Sequence, residues 1–285
     1  MTASFDLQSR LQAFVLQRAD TPIGTVQYRH AGAPLAQTTH VLLHGIGSGS
    51  GSWLMQFEEA VRQTHRVGVL AWEAPGYGAS SPVRPWTPVA SDYATRLWCW
   101  LDTLGVKQPI TLVGHSLGAL IAASAAVAQS SRVARLVLLA PAQGYGQADA
   151  SLRQQKLNDR LHALQTLGPQ GMASKRGSAM LSAHASAQQL AFVQHIMAQV
   201  NPLGYTQATK LLSHGTLAAD LKQCIVPLTI ASGRADGITP VADCQSLAAE
   251  LGVHWYDLGD VGHACPLEGA NAVNALLGLK DKLAS

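Results

Sequence analysis

The sequence has 285 residues, of which 47% are hydrophobic and 13% are charged, and its formal net charge is +3. So large an apolar fraction excludes an intrinsically disordered chain, and so small a positive charge, without clusters, argues against a nucleic-acid partner. The four cysteines contain no C-x-x-C pair, which argues against a zinc site or a disulfide framework and predicts free thiols in a reducing compartment. They are Cys99, Cys224, Cys244 and Cys265.

The first ten residues lack the basic segment and apolar run of a secretory signal. The apolar run nearest to membrane-spanning length, residues 119–128, is too short to cross a bilayer. The sequence therefore predicts a cytoplasmic protein without a membrane partner, and it leaves the oligomeric state open.

Strand and helix patterns alternate along the first half of the chain, as expected for a parallel sheet covered on both faces. Residues 12–31 predict two strands joined at 20–24, where Pro22 and Gly24 supply a turn. Further strands are predicted at 38–44, 65–72, 109–115 and 135–141, and helices at 52–65 and 88–105.

The alternation stops at Gln143 and resumes after Lys222. The intervening residues show leucines at helical spacing, and three helices are predicted there, at about 152–167, 190–200 and 205–213. Strands follow at 224–232 and 253–258. Thr239 is predicted to cap a helix that has Pro240 at its first position, and a closing helix is predicted at 267–283. We therefore expect an α/β core formed by residues 1–142 and 223–285, with a helical cap inserted at 143–222.

A Gly-x-Ser-x-Gly pentapeptide, Gly114 to Gly118, lies between the apolar run 109–115 and an alanine-rich helical pattern. This arrangement is typical of a nucleophile elbow, in which a strand turns sharply into a helix with serine at the apex. Ser116 is the predicted nucleophile. The alternative is a serine that only caps the helix.

Two later segments supply the partners that such a serine needs. Asp236 follows the strand at 224–232, and His263 follows the last predicted strand, so that all three residues lie at the carboxyl ends of strands. We predict His263 as the general base and Asp236 as the acid that orients it. Asp260 and Asp257 are the alternative acids. An Asx turn at Asp236 and a surface histidine at 263 are the structural alternatives.

The glycine-rich loop 44–51 follows the strand at 38–44. In the elbow arrangement, two backbone N–H groups bind the oxyanion, the negatively charged oxygen that forms when the nucleophile attacks a carbonyl. One belongs to the residue after the nucleophile, here Leu117, and the other belongs to this loop. Ile46 is the predicted second donor, with Gly45 as the alternative. Without Gly-Lys-Ser/Thr or G-x-G-x-x-G spacing the loop does not predict a phosphate site. His44 and His115 are predicted to have structural roles.

Together these motifs resemble the α/β-hydrolase superfamily over about residues 23–282. The resemblance rests on residues 44–47, 74–80 and 114–118, on Asp236 and on Gly262-His263. It implies an α/β-hydrolase fold, a mostly parallel eight-stranded sheet with helices on both faces and a helical cap. It is similar to the capped branch that contains carboxylesterases, enol-lactonases and carbon–carbon bond hydrolases. Glu73 stands where that branch usually has aspartate.

The resulting prediction is a serine hydrolase that cleaves a small ester, lactone or related acyl compound without a cofactor or metal. One alternative is hydrolysis of a carbon–carbon bond in a vinylogous diketone acid. An alternative from another class is a non-catalytic ligand-binding protein. Acyltransfer and cofactor-free peroxidase activity are also compatible with the residues.

Residues 145–222 contain seven Lys or Arg and three Asp or Glu. Cations that face the cleft could hold a substrate carboxylate; otherwise they form a solvated surface. The cations considered are Arg153, Lys156, Arg160, Lys175 and Arg176. The predicted pocket walls are Trp53, Trp86, Tyr145 and Met172.

Overall fold

The computed structural model describes residues 6–63 and 66–280. Its strands form one eight-stranded sheet in the order β1-β2-β4-β3-β5-β6-β7-β8. The strands are β1 Gln17–Thr21, β2 Gly24–Gly32, β3 His40–Leu43, β4 Gly68–Trp72, β5 Ile110–His115, β6 Val133–Leu139, β7 Leu228–Ser232 and β8 Trp255–Asp257.

The first two strands pair antiparallel to each other, and β2 also pairs antiparallel to β4. All later pairings, from β4 through β3 and β5 to β8, are parallel. Strands β3 and β4 are buried along their whole length, and β5 is buried except at Thr111. This burial explains their continuous apolar sequences, because a parallel sheet is covered on both faces. The predicted mostly parallel eight-stranded fold is confirmed.

Helices cover both faces of the sheet, and two buried clusters of apolar side chains fill the space on its two sides. The helices are α1 Leu7–Leu11, α2 Leu54–Arg62, α3 Ala90–Thr103, α4 Gly118–Ala128, α5 Ala150–Arg176, α6 Ala187–Ala198, α7 Pro202–His214, α8 Leu217–Leu221, α9 Val241–Glu250, α10 Cys265–Glu268 and α11 Ala270–Leu277.

Between β6 and β7 the described chain contains helices and no strand. We call residues 150–221, which span α5 to α8, the helical segment. Its first helix is interrupted at Gly168, whose backbone is non-helical with φ 62° and which precedes Pro169. Gly168 and Pro169 thus divide this helix into two parts. Asn201 caps α7, and Pro202 lies in its first turn.

Several predicted boundaries were wrong. The short helix α1 was not predicted, and residues 12–16 precede the first strand instead of belonging to it. The closing helix is two shorter helices, and Gly278 ends the second of them in a left-handed conformation. His65, where the predicted helix 52–65 ends and the predicted strand 65–72 begins, lies outside the described residues. Residues 281–283 of the predicted closing helix also lie outside them.

Candidate active site

Ser116 lies at the turn between β5 and α4, with φ 53°. This left-handed conformation is uncommon and strained for a residue with a side chain. Neighbouring glycines allow the tight turn. A Cβ at Gly114 would lie 2.5 Å from the carbonyl oxygen of Gly118, and one at Gly118 would lie 2.3 Å from that of Leu43. The strand can therefore turn into the helix only because both positions lack side chains.

The helix that follows Ser116 is buried along most of its length. Its N-terminus lies next to the serine, where unpaired N–H groups and the helix dipole create partial positive charge. The serine backbone is fixed on both sides, since its N–H donates to Leu139 O at 3.0 Å and its carbonyl accepts from Ala142 N at 3.1 Å. The sheet therefore holds this serine in one orientation.

His263 and Asp236 form a buried pair, with 2.8 Å between His263 Nδ1 and Asp236 Oδ2. The same carboxylate accepts the N–H groups of Ile238 and Thr239 at its Oδ1 atom, at 2.8 and 2.9 Å, and the Thr239 hydroxyl at Oδ2, at 2.8 Å. Burial would raise the pKa of Asp236, but the hydrogen bond and charge of His263, together with the Thr239 donors, lower it below its usual value. Asp236 is therefore held as a carboxylate.

The predicted capping role of Thr239 was wrong. Helix α9 begins at Val241, and the threonine side chain bonds to Asp236 and to the carbonyl oxygen of Ala140. The side chain thus serves the buried carboxylate instead of the helix end.

The two alternative acids lie elsewhere. Asp257 forms an exposed ion pair with Arg234, and Asp260 Oδ2 lies 3.3 Å from His184 Nε2, also in an exposed pair. Of the three candidate carboxylates, Asp236 contacts the imidazole of His263.

His44 fixes the glycine-rich loop through both ring nitrogens. Its Nε2 accepts the N–H of Ala74 at 3.0 Å, so its proton must lie on Nδ1, which donates to Gly45 O at 2.8 Å. Burial lowers the pKa of His44, which keeps the ring neutral. In a trans peptide the C=O and N–H point in opposite directions. The bond to Gly45 O therefore also sets the direction of the Ile46 N–H.

The next peptide of this loop is fixed by the buried Tyr77, whose hydroxyl donates to Ile46 O. Glu73 holds the far end of the loop, because its Oε1 accepts the N–H of Ser50 at 3.1 Å and its hydroxyl at 2.5 Å. Within the described chain, neither the Ile46 N–H nor the Leu117 N–H donates to another protein group. Both predicted oxyanion donors are thus free to bind a ligand.

A cavity of about 520 Å³ opens above these groups. Ser116, His263 and Ile46 line it, which brings the predicted nucleophile, base and oxyanion loop to one space. The helical segment supplies much of the opposite wall. Its contributions to that wall are Arg160, Met172, Arg176, Met180, Met197, Val200, Tyr205 and Leu212.

Two of the four predicted pocket walls were correct. Tyr145 and Met172 line the cavity. In contrast, Trp53 is fully buried in the core, and Trp86 is 60% exposed and stacked under the ammonium group of Lys210. The indole rings are therefore core and surface elements.

Residues 41–276 match the sequence model of the Alpha/beta hydrolase family. The match covers most of the chain and decides its membership. The chain belongs to the alpha/beta hydrolase family.

Solved structures show how far this chain resembles known folds. A thermophilic esterase from Thermogutta terrifontis superposes with a TM-score of 0.80 at 18% identity, covering 93% of this chain and 97% of that one. The enol-lactonase from Burkholderia xenovorans LB400 superposes with a TM-score of 0.78 at 19% identity, covering 92% and 99%. At these identities the comparisons establish the shared fold.

A human relative, (lyso)-N-acylphosphatidylethanolamine lipase, is 34% identical over 110 residues. The matched part is 37% of this chain and 30% of the relative. This likeness therefore concerns only a part of each chain.

Glu268 supports the candidate active site, and the sequence analysis missed it. Its carboxylate accepts the N–H of Gly262 at 2.8 Å, and the N–H and hydroxyl of Ser182. The carbonyl of Met180 also accepts the N–H of Ala264 at 2.7 Å. The loop that carries His263 is thus bonded to the helical segment. Since Glu268 and Ser182 are 86 positions apart, no sequence pattern indicated the contact.

His115 lines the cavity, and its imidazole is bonded to the loop that carries His263. Its Nε2 donates to the carbonyl oxygen of His263 at 2.8 Å, and burial with the nearby charge of His263 lowers its pKa to about 3. It stays neutral and fixes the backbone of the His263 loop.

Across residues 6–63 and 66–280, no helix is both long and apolar enough to span a bilayer. In the same ranges no three His, Cys, Asp or Glu side chains form a group that could hold a metal ion. The four cysteines are free thiols.

Proposed function

We propose that this protein is a serine hydrolase that cleaves a small ester, lactone or related acyl compound through an acyl-enzyme intermediate. The observation that carries the proposal is the buried Asp236–His263 pair, whose imidazole lines the same cavity as Ser116, a serine at a left-handed φ. A strained serine that lines the same cavity as an oriented imidazole fits the arrangement that nucleophilic catalysis uses.

In the proposed first step, His263 Nε2 takes the proton of Ser116 Oγ while Oγ attacks the substrate carbonyl carbon. Asp236 holds the Nδ1 proton and stabilises the imidazolium. The tetrahedral oxyanion accepts the N–H groups of Ile46 and Leu117. The intermediate then collapses, and His263 donates its proton to the departing alkoxide, which leaves an ester on Ser116.

In the second step, His263 removes a proton from water, and the resulting hydroxide attacks the acyl-enzyme carbonyl. Collapse of the second tetrahedral intermediate breaks the bond to Ser116 Oγ, which recovers the proton from His263 as the acid leaves. The water is consumed and the protein returns to its starting state.

The oxyanion role assigned to Ile46 is supported by the hydrogen bonds of its loop. His44 and Tyr77 hold the two peptides on either side of Ile46, so the donors require no rearrangement when charge develops. We further propose that the helical segment acts as a cap over the cavity. It lies within residues 143–222, the range predicted for the cap. The cytoplasmic location predicted from the sequence remains a prediction.

Labelling with a small fluorophosphonate tests the proposal, measured as intact mass on wild type and Ser116→Ala. One adduct on wild type and none on the variant is the expected result. Hydrolysis of a short 4-nitrophenyl ester that is lost in Ser116→Ala would then establish turnover. Absence of the adduct on folded wild type would overturn the proposal and favour the ligand-binding alternative.

A further inference from the structure

Two of the five cations considered in the sequence analysis line the cavity, Arg160 and Arg176. The other three cations do not line it; Arg153 instead donates to Gly146 O at 3.3 Å. Both cavity arginines are half-buried. The charge of the helical segment is therefore partly directed at the cavity rather than spread only over a solvated surface.

Neither guanidinium has a protein partner within the described ranges, whether a hydrogen-bond acceptor or a carboxylate within 4.0 Å. Two acidic residues also line the cavity, Asp243 and Glu250 on α9. Glu250 forms an ion pair with Lys222 at 2.8 Å, and Asp243 pairs with neither arginine. A half-buried guanidinium loses part of its hydration, and a hydrogen bond to an anion or another acceptor offsets the free-energy cost of that loss.

The surroundings of the two arginines connect them to the candidate active site. Arg160 lines the same cavity as Ser116 and Ile46, and the carbonyl oxygen of Ile46 accepts the Tyr77 hydroxyl. Arg176 ends α5, directly before the turn whose Met180 O accepts the N–H of Ala264, beside His263. An anion bound by these arginines would share the cavity with the reacting ester.

We propose that the cavity binds esters whose acyl chain ends in a carboxylate, which Arg160 and Arg176 hold away from the bond that is cleaved. This inference rests on the proposed hydrolase function and adds its substrate class. Guanidinium groups suit the site, because their fork of N–H donors matches the two oxygens of a carboxylate. The cavity volume of about 520 Å³ lies within the usual range for small-molecule sites.

The test compares two substrates of equal chain length, 4-nitrophenyl hemiglutarate and its neutral methyl ester, by release of 4-nitrophenolate. The proteins are wild type, Arg160→Gln, Arg176→Gln, the double variant and Lys156→Gln. Lys156 is the matched control, since it lies on the same helix, carries the same charge and does not line the cavity.

We expect wild type to prefer the charged substrate in kcat/KM by about tenfold, the scale of one hydrogen-bonded charge pair. The double variant should lose this preference through a raised KM for the charged substrate, so that its kcat/KM values for the two substrates become about equal. Lys156→Gln should behave as wild type. An unchanged preference in the double variant, or an equal loss in Lys156→Gln, would overturn the inference.

Failure of the hydrolase proposal itself is distinguishable. Wild type would then release nitrophenolate from neither substrate, and the inference would be decided by calorimetric binding of glutarate. Binding by wild type that weakens about tenfold in the double variant supports a carboxylate site, and equal binding by both proteins rejects it.

Discussion

Asp236→Asn should abolish catalysis by forcing His263 into the wrong tautomer. Oδ1 of Asp236 accepts two backbone N–H groups, those of Ile238 and Thr239, and these donors cannot rotate away. The amide oxygen of the variant must therefore face them, and its NH₂ group must face His263 Nδ1. The Thr239 hydroxyl can turn to accept from the same amide.

An NH₂ group opposite Nδ1 requires that nitrogen to accept, so the imidazole proton moves to Nε2. That nitrogen can then no longer take the proton of Ser116. The expected loss in kcat is about 10⁴-fold, the scale for a triad histidine held in this tautomer. Turnover of a 4-nitrophenyl ester measures it, and ¹⁵N NMR of the ring reports which nitrogen carries the proton.

Asp257→Asn is the matched control, because it makes the same chemical change in an exposed ion pair with Arg234. It should keep wild-type kcat. The reasoning would be refuted if Asp236→Asn remained within about tenfold of wild type, or if its His263 still carried the proton on Nδ1.

Three further predictions concern the oxyanion loop, the elbow and pH. Tyr77→Phe leaves Ile46 O without its donor. An unsatisfied buried acceptor costs about 1–3 kcal/mol, so kcat for a neutral ester should fall about tenfold or more with KM little changed. A change in KM alone would count against the loop assignment. Gly118→Ala puts a Cβ 2.3 Å from Leu43 O and should lower the free energy of unfolding, measured in urea, by about 3 kcal/mol or more. Gly237→Ala, where a Cβ meets nothing within 4 Å, should match wild type. Equal free energies of unfolding for the two variants would show that the Cβ at position 118 causes no clash. Burial lowers the pKa of His40 to about 4, so the folded state binds its proton less readily than the unfolded state, and the stability this residue contributes is complete above pH 6.5 and lost as pH falls towards 4. Between pH 6.5 and 5 that loss is about 1.6 kcal/mol. Urea unfolding of wild type and His40→Gln should diverge by this amount, and parallel curves would show that His40 titrates normally.

The sequence by itself determined the fold and the order of its chemistry. Continuous apolar runs separated by helical patterns indicated a parallel sheet, because strands covered on both faces have no polar side. The pentapeptide 114–118 located the elbow, since the tight turn tolerates side chains at neither glycine. Asp236 and His263 were predicted because each follows a strand. The two side chains form a hydrogen bond, and His263 lines the cavity.

Only the tertiary structure decided which groups support these residues. Sequence rules gave Thr239 to a helix end because they describe local neighbours, whereas its side chain bonds to a buried carboxylate. Glu268 reaches Ser182, 86 positions away, and His44 reaches Ala74, 30 positions away. Likewise, helical spacing could not say that Arg160 faces the cavity and Lys156 does not. Such contacts depend on how the helical segment packs over the sheet, and side-chain direction is fixed only after that packing forms.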